Sequence, residues 1–305
     1  MDKEGSQVKS KEERGKRMRL REARDAFLLI LPFFVLVSIF SIYPVYQGIN
    51  LCFYKVMLPE DKYIGLRNFE RLRTDNVLTL TLQNTVYYGL FQMLGIVLAI
   101  LPALLVNSII MQARPRLRWL FQAAVLLPMV IGWVTLGMAW NWMFLIGAGA
   151  LAAGRPGAVT VSPLARIETA LPTVGLILIW AILGYNTILF LAGLRSIPKV
   201  MYEAAQIDGA TNWQAFRYVT LPAMKPMLTF MIVTGFIGAF QVFDPVATLT
   251  NGGPGWYSAS IVFYMVRQAW YALDYGYAAA IGLVVLTIVF TLSLIQFRII
   301  YKRYV

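Results

Sequence analysis

Histidine is absent from the 305 residues, and cysteine occurs once, at Cys52. The first absence removes the commonest metal ligand together with the commonest general base, so Ser-His-Asp and Cys-His catalytic groupings are excluded. The second excludes an intramolecular disulfide. Charge is also scarce: 14% of residues are charged and 59% are hydrophobic, more apolar surface than a water-soluble core requires. No G-x-x-x-x-G-K-[ST] loop occurs, and the glycine clusters at Gly147–Gly154 and Gly252-Gly253-Pro254 lack a following Lys-Ser or Lys-Thr. A chain that hydrolysed nucleotide through such a loop would show it. Neither enzymatic activity, a metal site nor a cofactor bound by this chain is expected.

What is abundant is uncharged apolar sequence. Crossing roughly 30 Å of hydrocarbon takes about 20 apolar helical residues. Five charge-free windows qualify: Phe27–Tyr54, Asn76–Ala113, Trp119–Gly154, Thr169–Leu194 and Tyr275–Phe297. A sixth, Pro226–Phe243, lies between Lys225 and Asp244, and its apolar character continues to Leu249. Backbone in lipid must satisfy its own hydrogen bonds, and the windows show no polar/apolar alternation, so helix is expected rather than strand. The fold class is therefore all-α, an integral membrane protein of six spans near 27–53, 78–110, 120–146, 171–194, 227–249 and 276–298. The first window is too long for a cleaved signal peptide and lacks a small-residue cleavage site after it.

The formal charge of +12 would suggest nucleic acid in a soluble protein, but its location argues otherwise. Lys and Arg number nine in residues 1–25, three in the turn Arg114–Arg118, four in Arg195–Lys225 and three in the C-terminal tail, against eight in the alternate loops. By the positive-inside rule the first set is cytoplasmic, which places both termini inside. The basic arm 1–25, preceding a membrane domain 26–305, reads as a topology signal attracted to anionic lipid, and no nucleic-acid partner is expected.

Most connections are short. The segment Lys55–Asp75 is expected to be an ordered external loop. Met111–Arg118 joins antiparallel neighbours. Pro128 should kink the third span, and Gly147–Arg166 should be a loop with little fixed structure. The inward segment 196–226 is longer and builds a helix-turn-helix element. Ser196 can cap a helix with Pro198 in its first turn, running through Glu203-Ala204-Ala205 to Asp208. Gly209 suits a left-handed terminating position. Thr211 and Gln214 form a capping box for a second helix, which Pro222 and Pro226 stop.

In that element Glu203-Ala204-Ala205, three residues, Gly209, nine residues and Val219-Thr220-Leu221-Pro222 resemble the E-A-A-x3-G-x9-I-x-L-P signature of permease subunits of binding-protein-dependent ABC importers, Val219 standing for the usual Ile. Tyr43-Pro44, Gly65-Leu66-x-Asn68-Phe69, Asn251-Gly252-Gly253-Pro254 and Asp274-Tyr275-Gly276-Tyr277-Ala278-Ala279-Ala280 are similar to the carbohydrate branch, to the first permease of maltose, oligosaccharide or glycerol-3-phosphate systems. The resemblance implies a type I importer permease fold and transport of a carbohydrate or polyol phosphate across a prokaryotic cytoplasmic membrane. It also implies a second permease, two ATPase subunits holding ATP and Mg, and an extracytoplasmic binding protein. Glu203, Ala204, Ala205, Asp208 and Gly209 would then form the surface that docks into the ATPases. The Gly252–Gly255 stretch would be an external turn near the binding-protein surface.

The solute path is less legible. Trp180 and Tyr185 in the fourth span, Asn141 in the third, and Gln241 and Asp244 in the fifth could line a cavity where aromatic faces stack on sugar rings and amides bond hydroxyls. The alternative is an ion-gradient-driven secondary carrier. Such carriers place ionisable residues deep in their helices, whereas here Asp244 is the nearest candidate, close to a helix end. A scaffold without transport activity would not need the signature loop. Reversing the charge in Glu203→Arg should repel a basic partner and uncouple transport from ATP hydrolysis; unchanged solute uptake per ATP in that variant would refute the role assigned to Glu203.

Overall fold

The computed structural model describes residues 24–56, 61–108, 114–153 and 162–304, with side chains for all of these except 148–153 and 299–304. The basic arm before Arg24, the turn residues 109–113 and the loop residues 154–161 lie outside the described set.

The first helix, α1 (Arg24–Leu51), passes through a π-helical turn at Ser38–Ile42, just before Pro44. Proline has no N–H for the carbonyl four residues back, so the ladder slips to a wider turn there. A two-stranded antiparallel hairpin follows, β1 (Tyr54–Lys55) with β2 (Lys62–Tyr63), and then the short α2 (Arg67–Thr74). The expected ordered loop thus contains its own small structure. Buried Asn68 anchors it, donating to the Cys52 carbonyl at 2.9 Å and the Tyr54 carbonyl at 3.3 Å.

Two long helices form the centre: α3 (Asn76–Asn107) and α6 (Ile167–Arg195). They pack closely because small residues meet large ones. A Cβ on Gly175 would lie 2.3 Å from the Phe91 ring, so glycine is what lets α6 lie against that ring. Around Tyr88, Val174, Ile177 and Leu178 one apolar cluster forms at one end of this pair, and around Ile96, Phe190, Leu194 and Met231 another forms at the opposite end. Between them in sequence, α4 (Pro115–Val130) and α5 (Trp133–Ala153) make the third crossing. The kink expected at Pro128 is a full break, a 100° bend at Ile131–Gly132. Pro128 removes one ladder bond just upstream, and Gly132 has little helical preference to resist the break. Helix α5 also extends through residues 147–153, which the sequence suggested were loop; they carry no proline to stop it.

The connecting element comprises α7 (Lys199–Ile207) and α8 (Asn212–Ala223), the latter π-helical over Phe216–Thr220. Ser196 does not cap α7. It ends α6, its hydroxyl donating to the Gly193 carbonyl at 2.8 Å, and the extended Pro198 precedes α7 instead. Helix α9 (Lys225–Ala239) leaves α8 at 66°. It does not reach Leu249 as the hydropathy suggested. The chain turns at Phe240–Phe243 and restarts as α10 (Asp244–Leu249), because Pro245 can neither bond back into an α9 ladder nor avoid its carbonyls. Then come α11 (Ile261–Trp270) and α12 (Tyr275–Tyr304).

Among the described residues four helices are long and apolar enough to cross a membrane, and up to six spans result if each bent pair counts as one. The protein is an all-α integral membrane protein. Helix α1 stands apart: its most apolar stretch buries no residue, and it packs on α12 while Leu29 and Phe40 project outward. Such a surface requires lipid or a partner.

Gly276 begins α12 where the Asn68-anchored hairpin crosses it; an added Cβ would fall 2.0 Å from the Tyr54 carbonyl oxygen. Gly276→Ala should lower stability by about 1–3 kcal/mol through this overpacking, detectable as earlier thermal unfolding in detergent.

Candidate functional site

The α7–α8 element projects from the bundle with its signature residues on the surface. Glu203, Ala204 and Asp208 are exposed and Ala205 is half-buried. Helix α7 ends in a Schellman motif: the Ala210 N–H donates to the Ala205 carbonyl at 2.9 Å and the Gly209 N–H to the Gln206 carbonyl at 3.0 Å. The motif needs a left-handed residue at Gly209, whose φ is +77°. No atom lies within 4 Å of where its Cβ would be, so the requirement is conformational rather than spatial. The expected capping box starts α8, the Thr211 N–H donating to Gln214 Oε1 at 2.7 Å and the Gln214 N–H to Thr211 Oγ1 at 3.3 Å.

Other contacts make this element stiff. Tyr202 on α7 and Thr220 on α8 share a hydrogen bond of 2.9 Å. At the α8–α9 bend, Met224 is buried against α6 beside Gly193, where a Cβ would meet its Cε at 2.8 Å. These contacts tie α7 to α8 and the α8–α9 bend to α6. Sequence reasoning missed the apolar surface around the signature: Val200, Ile207, Trp213 and Tyr218 are all well exposed. The hydropathic asymmetry of these short helices was the available signal.

The proposed path residues do not converge. Trp180 packs edge-on against Trp140 at 5.6 Å and lines a cavity of about 760 Å³ between α5 and α6. Tyr185, five residues on, points about 140° away around α6 and is exposed on another face. Asn141 donates to the Thr248 carbonyl at 2.8 Å and fastens α5 to α10. Gln241 and Asp244 are exposed, on either side of the α9–α10 break.

At the bundle end opposite α7 lies a cluster that the sequence did not reveal. Asp75 precedes α3 and its Oδ1 accepts from the Val77 and Leu78 amides at 2.9 and 3.1 Å. Its Oδ2 accepts from the hydroxyls of Tyr264, at 2.6 Å, and Tyr277. Arg71 lies 3.7 Å over the Tyr277 ring and pairs with Asp274 at 2.6 Å. The cluster clasps α2, α3, α11 and α12. Partial burial opposes ionisation of Asp75, but the hydrogen bonds from Tyr264, Tyr277 and the two amides outweigh it and hold the carboxyl below its ordinary value. Burial and the adjacent Asp75 carboxylate push the Tyr264 phenol upward.

The segment between α10 and α11 is bolted to α3. Asn84 donates to the Trp256 and Ala259 carbonyls at 3.1 and 2.9 Å, Tyr88 donates to the Ser258 carbonyl at 2.7 Å, and the Ile261 N–H donates to Thr85 Oγ1 at 2.9 Å. Asn251-Gly252-Gly253-Pro254 is thus part of an interlocked segment, with Gly252 buried against Phe263.

The family of binding-protein-dependent transport system inner membrane components matches residues 93–304, which include the α7–α8 element. The chain belongs to that family. This permease is 33% identical over 275 residues to the arabinooligosaccharides transport system permease protein AraP of Halalkalibacterium halodurans, covering 88% of this chain and 85% of that protein. It is 31% identical over 286 residues to the lactose transport system permease protein LacF of Rhizobium radiobacter, covering 90% and 93%. Its fold matches a chain of a bacterial ABC transporter involved in the import of the acidic polysaccharide alginate with a TM-score of 0.76 and 26% identity, over 93% of this chain and 99% of that one. It is accordingly a multi-pass permease component of a binding-protein-dependent ABC importer.

Asp75→Asn should weaken the clasp by about 1–2 kcal/mol, the lower part of the range for charged hydrogen bonds because the site is partly solvated. A carboxyl whose folded pKa is depressed stabilises above its unfolded value of about 3.9, and that contribution is lost as pH falls through the folded value. Thermal unfolding of wild type should thus fall further than that of Asp75→Asn between about pH 5 and pH 3, and parallel curves would exclude the effect.

Proposed function

We propose that this permease is one of two membrane halves of an importer for an oligosaccharide or a sugar-like solute such as a polyol phosphate, in the cytoplasmic membrane of a prokaryote. The observation that carries the coupling role is the rigid, exposed α7–Gly209–α8 element. Ala204 and Ala205 keep its surface low, so that another protein can approach closely. Glu203 offers a charge for an Arg or Lys there, and Ile207 and Trp213 offer apolar area for burial. This element would face the cytoplasm, where Lys and Arg are concentrated, and would dock on two ATPase subunits that hold ATP and Mg. Closure of the ATPases would tilt α6 and α9 as rigid bodies.

The cargo class rests on the relatives, whose names specify arabinooligosaccharides and lactose. The solute would arrive on an extracytoplasmic binding protein and pass between this chain and a second, different permease. Tyr185 and Gln241 are the first path candidates, since both are exposed and their side chains make no hydrogen bond among the described residues. Asp244 stands near Gln241 at the path mouth. Trp180 and Asn141 are occupied by aromatic packing and by helix fastening. Docking residues are Glu203, Ala204 and Ala205, with Asp208 and Gly209 shaping the turn.

Affinity purification of the tagged chain from its native membrane should recover a P-loop ATPase and a second permease, with hydrolysis stimulated by solute-loaded binding protein. Recovery of the chain alone from several detergents, with uptake collapsing on loss of an ion gradient, would favour a secondary carrier. In the reconstituted importer, Tyr185→Ala should cut uptake about tenfold, as expected for loss of one stacking ring, measured as initial rate into proteoliposomes.

A further inference from the structure

An apolar groove of about 430 Å³ lies between α1, α11 and α12. Val45 and Ile49 of α1 and Leu286 of α12 line it and are exposed, so it opens on the outer surface of the bundle. A Cβ on Gly48, in the α1 wall, would meet no atom within 4 Å, so side-chain volume is missing there. Along α12 the lining runs from Tyr275 to Leu286, about 16 Å at the rise of an α-helix. One leaflet of hydrocarbon, half the membrane core, is about 15 Å deep. At the Tyr275 end, which is the Asp75 end of the bundle, Trp270 and Tyr275 meet edge-on at 6.3 Å. An indole and a phenol together are the side chains that settle at headgroup depth.

Two cations lie next to that end. Lys55 on β1 comes four residues after Leu51, which lines the groove, and the Tyr54 carbonyl beside it rests on Gly276, the residue after Tyr275. The hairpin register sets Lys55 directly opposite Lys62. Both are exposed, and neither pairs with a carboxylate among the described residues. Like charges directly opposite each other on paired strands repel, and an anion shared between the two ammonium groups removes that cost.

We infer that the groove holds an acyl chain of an anionic phospholipid whose phosphate is bound by Lys55 and Lys62. The apolar lining and its one-leaflet length fit the chain, and the aromatic pair with the two lysines fits the headgroup. A zwitterionic headgroup would bring its own cation up against the lysines, so a net negative lipid is preferred. The lipid fills the space that α1 leaves against α11 and α12. It thereby secures a helix whose most apolar stretch buries no residue within the chain.

The test uses the intact importer in detergent, incubated with a phosphatidylglycerol that carries a photoreactive diazirine on its acyl chain, irradiated, and mapped by peptide mass spectrometry. Labels should fall on Met265, Leu283 and Leu286, and unlabelled phosphatidylglycerol should compete for them where phosphatidylcholine does not. Lys55→Gln and Lys62→Gln should each weaken that competition about fivefold and the double substitution about thirtyfold, the effect of one surface lysine apiece on an anionic lipid. Lys55→Arg should compete as wild type. Gly48→Leu, which fills open space, should remove the label with both lysines in place. Because Lys55 and Lys62 are exposed, their substitution leaves the fold intact, so a loss of label reads the site itself. Equal competition by phosphatidylcholine, or unchanged labelling in the double variant, would overturn the assignment in favour of ordinary bilayer lipid. An unlabelled groove in wild type, with Met265 or Leu286 cross-linking to the second permease when replaced by a photoreactive residue, would overturn it in favour of a partner helix.

Discussion

Hydrocarbon offers a backbone N–H or carbonyl no partner except the protein itself, and each region of this permease can be traced to how that demand is met. The long helices meet it internally. Where the chain leaves helix, other groups must serve, and the 250–260 segment shows how. Its carbonyls at Trp256, Ser258 and Ala259 are taken by Asn84 and Tyr88 of α3, and the Ile261 amide is taken by Thr85. Four polar contacts from one helix face thus permit an irregular segment beside an apolar core, and in doing so fix where α11 begins.

The same accounting separates the two ends of the bundle. At the Asp75 end, one carboxylate accepts four hydrogen bonds and Arg71 serves both a ring and a carboxylate, so α2, α3, α11 and α12 are held as a unit. At the α7 end, the ties are few and directional. The Tyr202–Thr220 bond and the seating of Met224 against α6 connect a projecting element to two central helices. One end is thus held as a unit of four helices, while at the other a short helical element projects on few ties.

The third span and the fifth apolar segment are both broken. Each break follows from particular residues: Pro128 and Gly132 in one, Pro245 in the other. Each also places a polar or aromatic side chain differently from what an unbroken helix would do. Gln241 and Asp244 emerge at the α9–α10 break, and the wedge between α5 and α6 opens the aromatic cavity beside Trp140 and Trp180.

Much was decided by sequence alone. The number of apolar crossings, the helical class, the capping box at Thr211, the left-handed Gly209 and the α7–α8 element all follow from local chemistry, because capping, φ preference and hydropathy act within a few residues. Long-range geometry was not legible. That Trp180 and Tyr185 face different ways could be worked out from helix periodicity, but which face meets α3 could not. That Asn141 is spent on Thr248 and that Asp75 gathers two tyrosines from about 190 to 200 residues away depend on which helices become neighbours. Helix adjacency is set by the fit of side chains such as Phe91 against Gly175, a property of pairs of surfaces that no single stretch of chain contains.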